Sequence, residues 1–421
     1  MSEQGSNILV VGGGISGLTT GLEAAEAGYN VTIVEKAPFL GGRVARMNKY
    51  FPKLCPPACG LEINFRRIRF NPRITFHTLA EVENISGQPG SYNVTVKINP
   101  RFVNEKCVGY NACAEACPVE VPNDFNFGLD KRKAAYLLYE QAFPFRYVID
   151  EAACKKEDCK KCVDACTYDA IHMDMKPETL NIKAGSIVLA TGWKPYDAAK
   201  IDNLGFGTSP NIITNVMMER LAAPNGPTKG KLLRPSDGKE VKRVAFVQCA
   251  GSRDENHLPF CSAVCCLASL KQATYVREQY EDSKAYMFYI DIRTPGTSYE
   301  RFLNKVRDDE NVSLIKGKVA KVSEDPATKD IIVEAEDILA GGKIKVNVDL
   351  CVLATGMVPA TAELKLPSEI KINENGFMVP GKDQKGIYAV GCIKDPMDVA
   401  KSVQGATGAA LKAIQTVGGK S

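Results

Sequence analysis

Apolar and polar positions near the start of the chain change in blocks that predict a strand, a tight turn, a helix and a second strand. The stretch NILVVGGGISGLTTGLEAAEAGYNVTIVEK, residues 7–36, begins and ends with short apolar runs, and glycines and small residues lie between them. Short apolar runs bounded by turn residues are typical of buried strands, and a helical segment between two of them predicts a parallel βαβ unit. The chain is therefore expected to begin with an α/β domain.

Similar apolar runs return later and predict a second domain of the same class. The run VKRVAFV (241–247) precedes a cysteine-rich loop, which is followed by the helical segment CLASLKQATYVREQY (266–280) and the strand KAYMFYIDIR (284–293). Two related segments, SIVLATGWKP (186–195) and CVLATGMVP (351–359), lie on either side of this region. The pattern predicts a second Rossmann-like, doubly wound sheet between them.

Composition is that of an ordinary globular protein: 45% of the residues are hydrophobic, 24% are charged, and the net charge is +4. This charge is spread along the chain, so it indicates neither nucleic acid nor anionic lipid as a partner. We find no apolar run long enough for a membrane span, and the polar start lacks the pattern of an export signal. The sequence predicts a soluble, cytoplasmic protein without a direct membrane span.

The first turn carries the fingerprint of a dinucleotide-binding site. Gly12, Gly14 and Gly17 form G-x-G-x-x-G, in which the glycines permit the turn, the approach of a pyrophosphate and the packing of helix on strand. Glu35, followed by Lys36, ends the second strand where a carboxylate meets a ribose hydroxyl in such folds. With the strands, the helix and the acidic residue in place, we expect a nucleotide cofactor here. The expected contacts in this unit are Gly12, Gly14, Gly17, Glu35 and Lys36.

Fifteen cysteines are the strongest compositional signal. Because a reducing cytosol disfavours disulfides, tightly spaced cysteines point to metal or iron–sulfur ligation. Seven of them lie in residues 101–176, which separate the strand SYNVTVKI (91–98) from the first ATG segment and are read as an insertion. The two runs there, CVGYNACAEACPV and CKKEDCKKCVDACTYDAI, nearly match the paired C-x2-C-x2-C-x3-C runs of two-cluster ferredoxins.

In those ferredoxins the last cysteine of each run ligates the cluster of the other run. This crossing rule predicts one complete set of thiolates for a cubane: Cys117, Cys154, Cys159 and Cys162. Zinc also accepts four thiolates, but the linked x2 and x3 spacings favour an iron–sulfur cluster.

The second set is incomplete, because Tyr110 stands where the pattern requires cysteine. Cys107, Cys113 and Cys166 remain. This group is consistent with a three-iron cluster, with a fourth ligand that is not cysteine, or with no cluster.

The segment QCAGSRDENHLPFCSAVCC (248–266) stands where a second nucleotide fingerprint belongs, and no G-x-G-x-x-G occurs between residues 200 and 345. Its cysteines fall at the carboxyl edge of the predicted sheet, where open α/β folds bind ligands. We expect an iron–sulfur cluster there, with irregular backbone around the adjacent pair; buried structural thiols are the alternative. His257 is a candidate proton carrier or ligand. The cysteines are Cys249, Cys261, Cys265 and Cys266.

The fingerprint, the segment APFLGGRVA, the ATG segments and the C-terminal GIYAVGCIKDPMDVAKSVQGATGAAL together resemble the two-dinucleotide-binding-domain flavoproteins. The resemblance implies FAD. It departs from the family at residue 392, which is usually Asp and is Cys here. We expect Asp395 as N-cap and Pro396 as first residue of a final helix facing the flavin; a surface cap is the alternative. The resemblance adds these FAD contacts: Gly42, Arg43, Thr191, Gly192, Gly391 and Cys392.

The cysteine segments, with CPVEVPNDFNFGLDKRKA, AFPFRYVID and DIRTPG, resemble the A subunits of heterodisulfide reductases over nearly the whole chain. In its short form the chain most resembles the A subunits of the quinone-interacting membrane-bound oxidoreductases of sulfate reducers. The resemblance implies FAD and two [4Fe-4S] clusters, and it leaves open whether a third cluster, either [4Fe-4S] or [3Fe-4S], is present. It also implies two partners: a homologous flavo-iron–sulfur B subunit and a membrane-bound C subunit. It also implies electron transfer between menaquinol-linked subunits and adenylylsulfate reductase, with the chain peripheral to the membrane.

The expected organisation places an FAD-binding domain in three parts around an inserted ferredoxin-like module and a second Rossmann-like domain. The FAD-binding parts are residues 1–100, 177–215 and 346–421, the module is 101–176, and the second domain is 216–345.

Other functions remain open. Cys55 and Cys59 of CPPACG have C-x3-C spacing, unlike the C-x4-C pair of flavin disulfide reductases, and inert thiols, a dithiol and cluster ligands are all consistent with it. A dithiol would suit an NAD(P)H-dependent thiol or disulfide reductase, and partly empty centres would suit a scaffold protein that mainly docks partners.

Overall fold

The computed structural model describes residues 7–364, 370–379 and 386–419. The chain divides into two compact units. Unit 1 takes its described residues from 1–45, 58–193 and 359–421, and unit 2 consists of 46–57 and 194–358.

Unit 1 is built on a five-stranded parallel sheet with helices beside it. The elements are β1 Asn7–Val11, α1 Ile15–Glu26, β2 Asn30–Glu35, α2 Pro57–Phe70, β3 Ile74–Thr78, β11 Ser186–Leu189, β22 Ile387–Ala389 and α8 Val399–Val417. The strand order is β22-β11-β1-β2-β3. The continuous apolar runs of the sequence form the central strands, which are buried because α1 and α8 pack against each other and against the sheet.

A second sheet of unit 1 is antiparallel and consists of β4 Ala80–Gln88, β5 Ser91–Ile98 and β10 Glu178–Ala184, in the order β10-β5-β4. Strands β5 and β10 are direct neighbours, from Tyr92 opposite Ala184 to Ile98 opposite Glu178. The cysteine-rich segment therefore connects the end of β5 to the start of β10, at one end of this pair of strands. Its short elements are α3 Ala112–Ala116, β6 Glu120–Pro122, β7 Lys131–Lys133, β8 Ala135–Tyr136, β9 Val148–Ile149 and α4 Lys161–Asp164.

Unit 2 contains one parallel and one antiparallel sheet, joined by a shared apolar core that includes Phe288 and Ile331. The elements are β13 Ile212–Thr214, α5 Asn215–Ala222, β14 Arg243–Ala250, α6 Cys265–Gln279, β15 Lys284–Tyr289, α7 Thr297–Arg307, β16 Val312–Lys316, β17 Val319–Glu324, β18 Ile331–Asp337, β19 Gly342–Val348 and β20 Leu350–Thr355. The strand orders are β13-β20-β14-β15-β16 and β17-β18-β19. Short strands β12 Trp193–Pro195 and β21 Met357–Pro359 lie at the limits of the unit.

Two local predictions are wrong. The final helix begins at Val399 rather than Pro396, and its N-cap is Asp398, whose side chain accepts a hydrogen bond from the Lys401 N–H. Asp395 therefore does not cap it. The expected irregular backbone at the adjacent cysteines is also absent, because Cys265 and Cys266 form the first turn of α6.

None of the described helices has the length and apolar character that a membrane span requires.

Candidate functional site

The fingerprint turn of unit 1 requires glycine for steric reasons. Gly12 has a φ of +112°, and a Cβ added there would lie 2.4 Å from the Ala190 carbonyl oxygen. A Cβ added at Gly17 would lie 1.8 Å from the Gly12 oxygen, so helix α1 packs directly on the turn. The Gly12 N–H donates to the Val34 carbonyl at 2.8 Å. The turn therefore requires glycine because it packs directly against the backbone of neighbouring segments.

Glu35 lies beside this turn as expected. Its carboxylate accepts hydrogen bonds from the N–H groups of Gly13 at 2.6 Å and Ala37 at 2.7 Å. Burial raises the pKa of Glu35, while the two backbone donors lower it. Lys36 points elsewhere, since its exposed ammonium pairs with Glu81 at 3.2 Å.

The turn at Gly41 and Gly42, which we call the GG turn, packs against the fingerprint. The Gly41 N–H donates to the Gly13 carbonyl at 2.8 Å, and a Cβ added at Gly42 would lie 2.8 Å from Gly14 Cα. Arg43 follows, with its guanidinium 4.6 Å from the centre of the Trp193 ring. Two glycine turns therefore meet back to back, which leaves no room for side chains between them.

The ATG turn and the C-terminal strand complete this region of unit 1. The hydroxyl of Thr191 is buried and has no hydrogen-bond partner within the described part of the chain. Gly192 and Gly391 both have positive φ, and a Cβ at Gly391 would lie 2.4 Å from Ser16 Oγ. Cys392 is buried, which raises its pKa, and its thiol donates to the Met397 carbonyl at 3.4 Å. An orphaned hydroxyl beside side-chain-free backbone fits a polar cofactor such as a dinucleotide.

In the inserted segment, the four cysteines that the crossing rule grouped together line one cavity. Apolar walls from β8 and β9, including Ala135 and Ile149, complete it, and Lys155 lies at the same cavity. The Lys156 N–H donates to Cys154 Sγ at 3.3 Å. Burial and the neighbouring thiols raise the pKa of Cys162 to about 11. We call this set the module site: Cys117, Cys154, Cys159 and Cys162.

The remaining cysteines of the segment form what we call the third cysteine group: Cys107, Cys113 and Cys166. Burial raises the pKa of Cys113 to about 12, and the nearby Cys107, Cys162 and Cys166 thiols contribute to this shift. Tyr110 is 63% exposed and meets Tyr168 edge-on at 6.3 Å, so its ring lies at the surface.

In unit 2, four cysteines line a second cavity at the carboxyl end of β14, which we call the sheet-edge site. The backbone leading to it is unusual, because Cys249 and Ala263 have φ values of 56° and 60°. Such left-handed conformations cost free energy for residues other than glycine and tend to occur at functional sites. The members are Cys249, Cys261, Cys265 and Cys266.

The sheet-edge cavity also contains charged residues that the sequence did not single out: Arg253, Asp291 and Arg293. Arg253 pairs with Asp291 and hydrogen-bonds the Cys249 sulfur, which lowers the pKa of that thiol against the larger effect of burial. Asp291 and Arg293 follow β15, the strand beside β14. The rule that ligand-binding groups follow parallel strands could have identified them.

His257 does not line this cavity; its ring Nδ1 lies 2.9 Å from the Tyr196 hydroxyl. Cys55 and Cys59 are both exposed and line neither cysteine cavity. Over residues 7–364, 370–379 and 386–419, no group of at least three His, Cys, Asp or Glu side chains is placed to hold a single metal ion.

Comparison with known proteins agrees with this geometry. The model of the NAD(P)-binding Rossmann-like domain matches residues 10–59. The iron–sulfur A subunit of CoB–CoM heterodisulfide reductase from Methanocaldococcus jannaschii is 38% identical over 97% of this chain and 64% of its own length. The chain is therefore similar to the heterodisulfide reductase A subunits over nearly its whole length. The corresponding subunit of Methanosarcina acetivorans, from a ferredoxin/F(420)H(2)-dependent CoB-CoM heterodisulfide reductase, is 36% identical over 99% of this chain and 54% of its own.

The chain spans less than two thirds of the length of those curated relatives. Thioredoxin reductases of T. acidophilum and Lactococcus lactis share its fold, with TM-scores of 0.52 and 0.54 at 14% and 11% identity. Each match covers 98% of this chain and at least 98% of the solved chain. The expected two-dinucleotide-binding-domain fold and the resemblance to the heterodisulfide reductase A subunits are confirmed. The closer similarity to the sulfate-reducer proteins stays a prediction.

Proposed function

We propose that the chain is an electron-transfer subunit that binds FAD at the fingerprint of unit 1 and one [4Fe-4S] cluster at each of the two cysteine cavities. The observation that carries the proposal is the module site, where cysteines from two separate runs line one apolar cavity. Apolar walls and four thiols with no disulfide among them suit a cubane. When bound, these groups supply one- and two-electron transfer.

The flavin assignment is supported by the form of the fingerprint. Helix α1 begins at Ile15 without a side-chain cap, so its first N–H groups can bind phosphate oxygens, and Glu35 can accept hydrogen bonds from ribose hydroxyls. The orphaned Thr191 hydroxyl gains a partner when a cofactor binds there. By the resemblance to the flavoproteins, the remaining cofactor contacts are Arg43, Gly192, Gly391 and Cys392. Without a cofactor, the exposed Lys36 ammonium pairs with Glu81.

The cluster assignment at the sheet-edge site is supported by charge. Four cysteines must ionise to bind iron, and Arg253 and Arg293 place positive charge in the same cavity. Asp291 orients both guanidinium groups, since each pairs with it. The protein's part is therefore to hold the thiolates and to compensate their charge.

The third cysteine group offers three thiols, and we propose that it binds a [3Fe-4S] cluster or remains without one. Its exposed neighbour Tyr110 gives no thiolate. A Tyr110→Cys variant should supply the missing fourth ligand, and a gain of about one iron per chain would show that the group is occupied.

For the physiological role, we propose electron transfer between menaquinol-linked subunits and adenylylsulfate reductase in dissimilatory sulfate reduction. The partners would be a homologous flavo-iron–sulfur B subunit together with a membrane-bound C subunit, and the chain would be peripheral to the membrane in the cytoplasm. The match of nearly the whole chain to A subunits of CoB–CoM heterodisulfide reductases supports a place in a multi-subunit reductase. The sulfate-reduction context rests on the resemblance seen in the sequence alone. Co-purification of the chain from membranes with these proteins tests the assignment.

The test of the cofactor proposal is iron, acid-labile sulfide and FAD analysis of anaerobically purified protein, with EPR of the reduced sample. We expect one FAD and about eight irons per chain if both four-cysteine sites are filled. Flavin with substoichiometric iron would contradict the iron–sulfur assignment while leaving the flavin assignment intact.

A further inference from the structure

The inserted segment is joined to the GG turn by hydrogen bonds inside unit 1. The Leu40 N–H donates to the Phe143 carbonyl at 2.7 Å. Arg101, at the start of the insertion, is only 7% exposed and donates to the Pro38 carbonyl and to Thr78 Oγ1, the latter at 2.9 Å. A buried guanidinium that donates to several acceptors holds the backbone of the insertion in place, so residues of the insertion have defined positions beside the GG turn.

One of these residues, Tyr139, has an unusual hydroxyl. The oxygen is buried and has no hydrogen-bond partner among the described residues. It lies 3.5 Å from the position of a Cβ added at Gly41. The ring stacks on Phe125 at 5.4 Å with an interplanar angle of 15°, and this contact restricts its movement.

Thr191 has the second orphaned hydroxyl near the same pair of turns. A Cβ added at Gly12 would lie 3.1 Å from the Thr191 nitrogen, and the Gly12 turn reaches Gly41 through the bridge between Gly14 and Gly41. Buried hydroxyl groups without a partner are rare, because their desolvation is not compensated. Two of them around one dinucleotide fingerprint indicate that a polar group binds beside these turns.

We propose that Tyr139 donates a hydrogen bond to an oxygen of the bound flavin dinucleotide, so that the inserted cysteine segment completes the flavin site. This inference rests on the proposed binding of FAD in unit 1. Burial raises the pKa of Tyr139, which keeps the hydroxyl protonated and able to donate. The acceptor chemistry is that of phosphate or ribityl oxygen, the groups that this fold brings to the fingerprint.

The first test is FAD affinity of the full-length chain, measured by flavin fluorescence after removal and re-addition of FAD. Tyr139→Phe deletes only the hydroxyl and keeps the stacking on Phe125. We expect about tenfold weaker binding, or ~1.4 kcal/mol. The matched control is Tyr147→Phe, which deletes a hydroxyl of the same segment that already has a partner, Asn111. Its FAD affinity should stay within about twofold of the wild type, or ~0.4 kcal/mol.

Thermal unfolding is a second test, because Tyr139→Phe should change the melting temperatures of flavin-free and flavin-loaded protein differently. In flavin-free protein, Tyr139→Phe removes an unsatisfied buried group, so the melting temperature should stay the same or rise. In flavin-loaded protein the same change should reduce the stabilisation by FAD. A structural role alone would lower both melting temperatures, and that result would overturn the inference.

Fluorotyrosine at position 139 reports the contact directly through its 19F resonance. We expect the resonance to shift when FAD is added. An unchanged resonance, together with wild-type FAD affinity of Tyr139→Phe, would reject the proposal and indicate that the hydroxyl binds a buried water instead. If the wild type itself binds no FAD, the proposed function fails. If the wild type binds FAD and the variant binds it equally well, only the role of Tyr139 fails.

Discussion

Cys117 of the first cysteine run and Cys162 of the second line the same cavity in the inserted segment. Cys162 is held in the short helix α4, and Cys117 is the residue that ends α3. Packing of α3 against α4 brings the two runs together. This crossing is the feature that paired cysteine runs produce in two-cluster ferredoxins, and it makes the module site experimentally separable from the third cysteine group.

Cys117→Ser should therefore remove the cluster of the module site. Because four thiolates act together, we expect the iron content to fall by about four per chain. Iron and sulfide analysis of anaerobic protein measures this loss. Cys351→Ala is the control, since Cys351 is fully buried in β20 and lines neither cavity; its iron content should equal that of the wild type. Equal iron in both variants would rule out Cys117 as a ligand.

At the sheet-edge site, Arg253 should tune the reduction potential of a bound cluster. Positive charge and hydrogen bonding at a ligand sulfur favour the more negative, reduced state. Arg253→Gln should lower the midpoint potential by on the order of 60 mV, a tenfold change in a one-electron equilibrium. EPR-monitored redox titration measures the shift. Lys318→Gln removes a surface cation that is 73% exposed, and it should leave the potential unchanged.

FAD binding should depend on the protonation of Glu35. The ionised carboxylate can accept ribose hydrogen bonds at both oxygens, whereas the protonated acid keeps one good acceptor and binds the ribose more weakly. Burial raises the pKa of Glu35 above the ordinary 4.5. Lowering the pH protonates it, so FAD affinity should fall with decreasing pH, beginning above the range where an exposed Glu titrates. Fluorescence titration across pH measures this. Glu35→Gln should bind FAD weakly with little pH dependence over this range, and a wild type equally insensitive to pH would argue against the contact.

The back-to-back glycine turns should tolerate no side chain. Gly42→Ala would place a Cβ 2.8 Å from Gly14 Cα, in a backbone conformation with φ of +56°. We expect at least about tenfold weaker FAD binding and a loss of roughly 1–3 kcal/mol in stability. Gly60→Ala is the control, because its helix position in α2 has open space; stability there should stay equal or rise by up to about 1 kcal/mol.

The sequence was sufficient to predict features that depend on local pattern. Glycine spacing predicted the turn between β1 and α1, because that turn depends on local backbone geometry. The crossing rule of two-cluster ferredoxins grouped Cys117 with the second run, because the spacing of the two runs nearly matches the ferredoxin pattern. Apolar periodicity predicted the parallel strands of each unit. Sequence patterns were less accurate at helix ends. Asp395 and Asp398 are both suitable N-cap residues, and only the hydrogen bond from the Lys401 N–H to the Asp398 side chain shows that Asp398 is the N-cap.

Contacts between distant segments could not be predicted in this way. Tyr139 reaches the GG turn only because β5 and β10 pair and Arg101 fixes the insertion beside it. Arg253 likewise meets Asp291 because β14 and β15 are neighbours in the sheet of unit 2. The segments that hold Arg253 and Asp291 are recognisable in the sequence, but the contact between the two side chains depends on tertiary structure.

The measurement that tests the central claim most directly is an anaerobic reductive titration of the purified chain, followed by absorbance and EPR. A chain with one FAD and two [4Fe-4S] clusters should accept about four electrons, two at the flavin and one at each cluster. Both cluster signals should appear in EPR as the reductant is added. Uptake of about two electrons with flavin bleaching alone would contradict the account, because the cysteine cavities would then hold no redox centre.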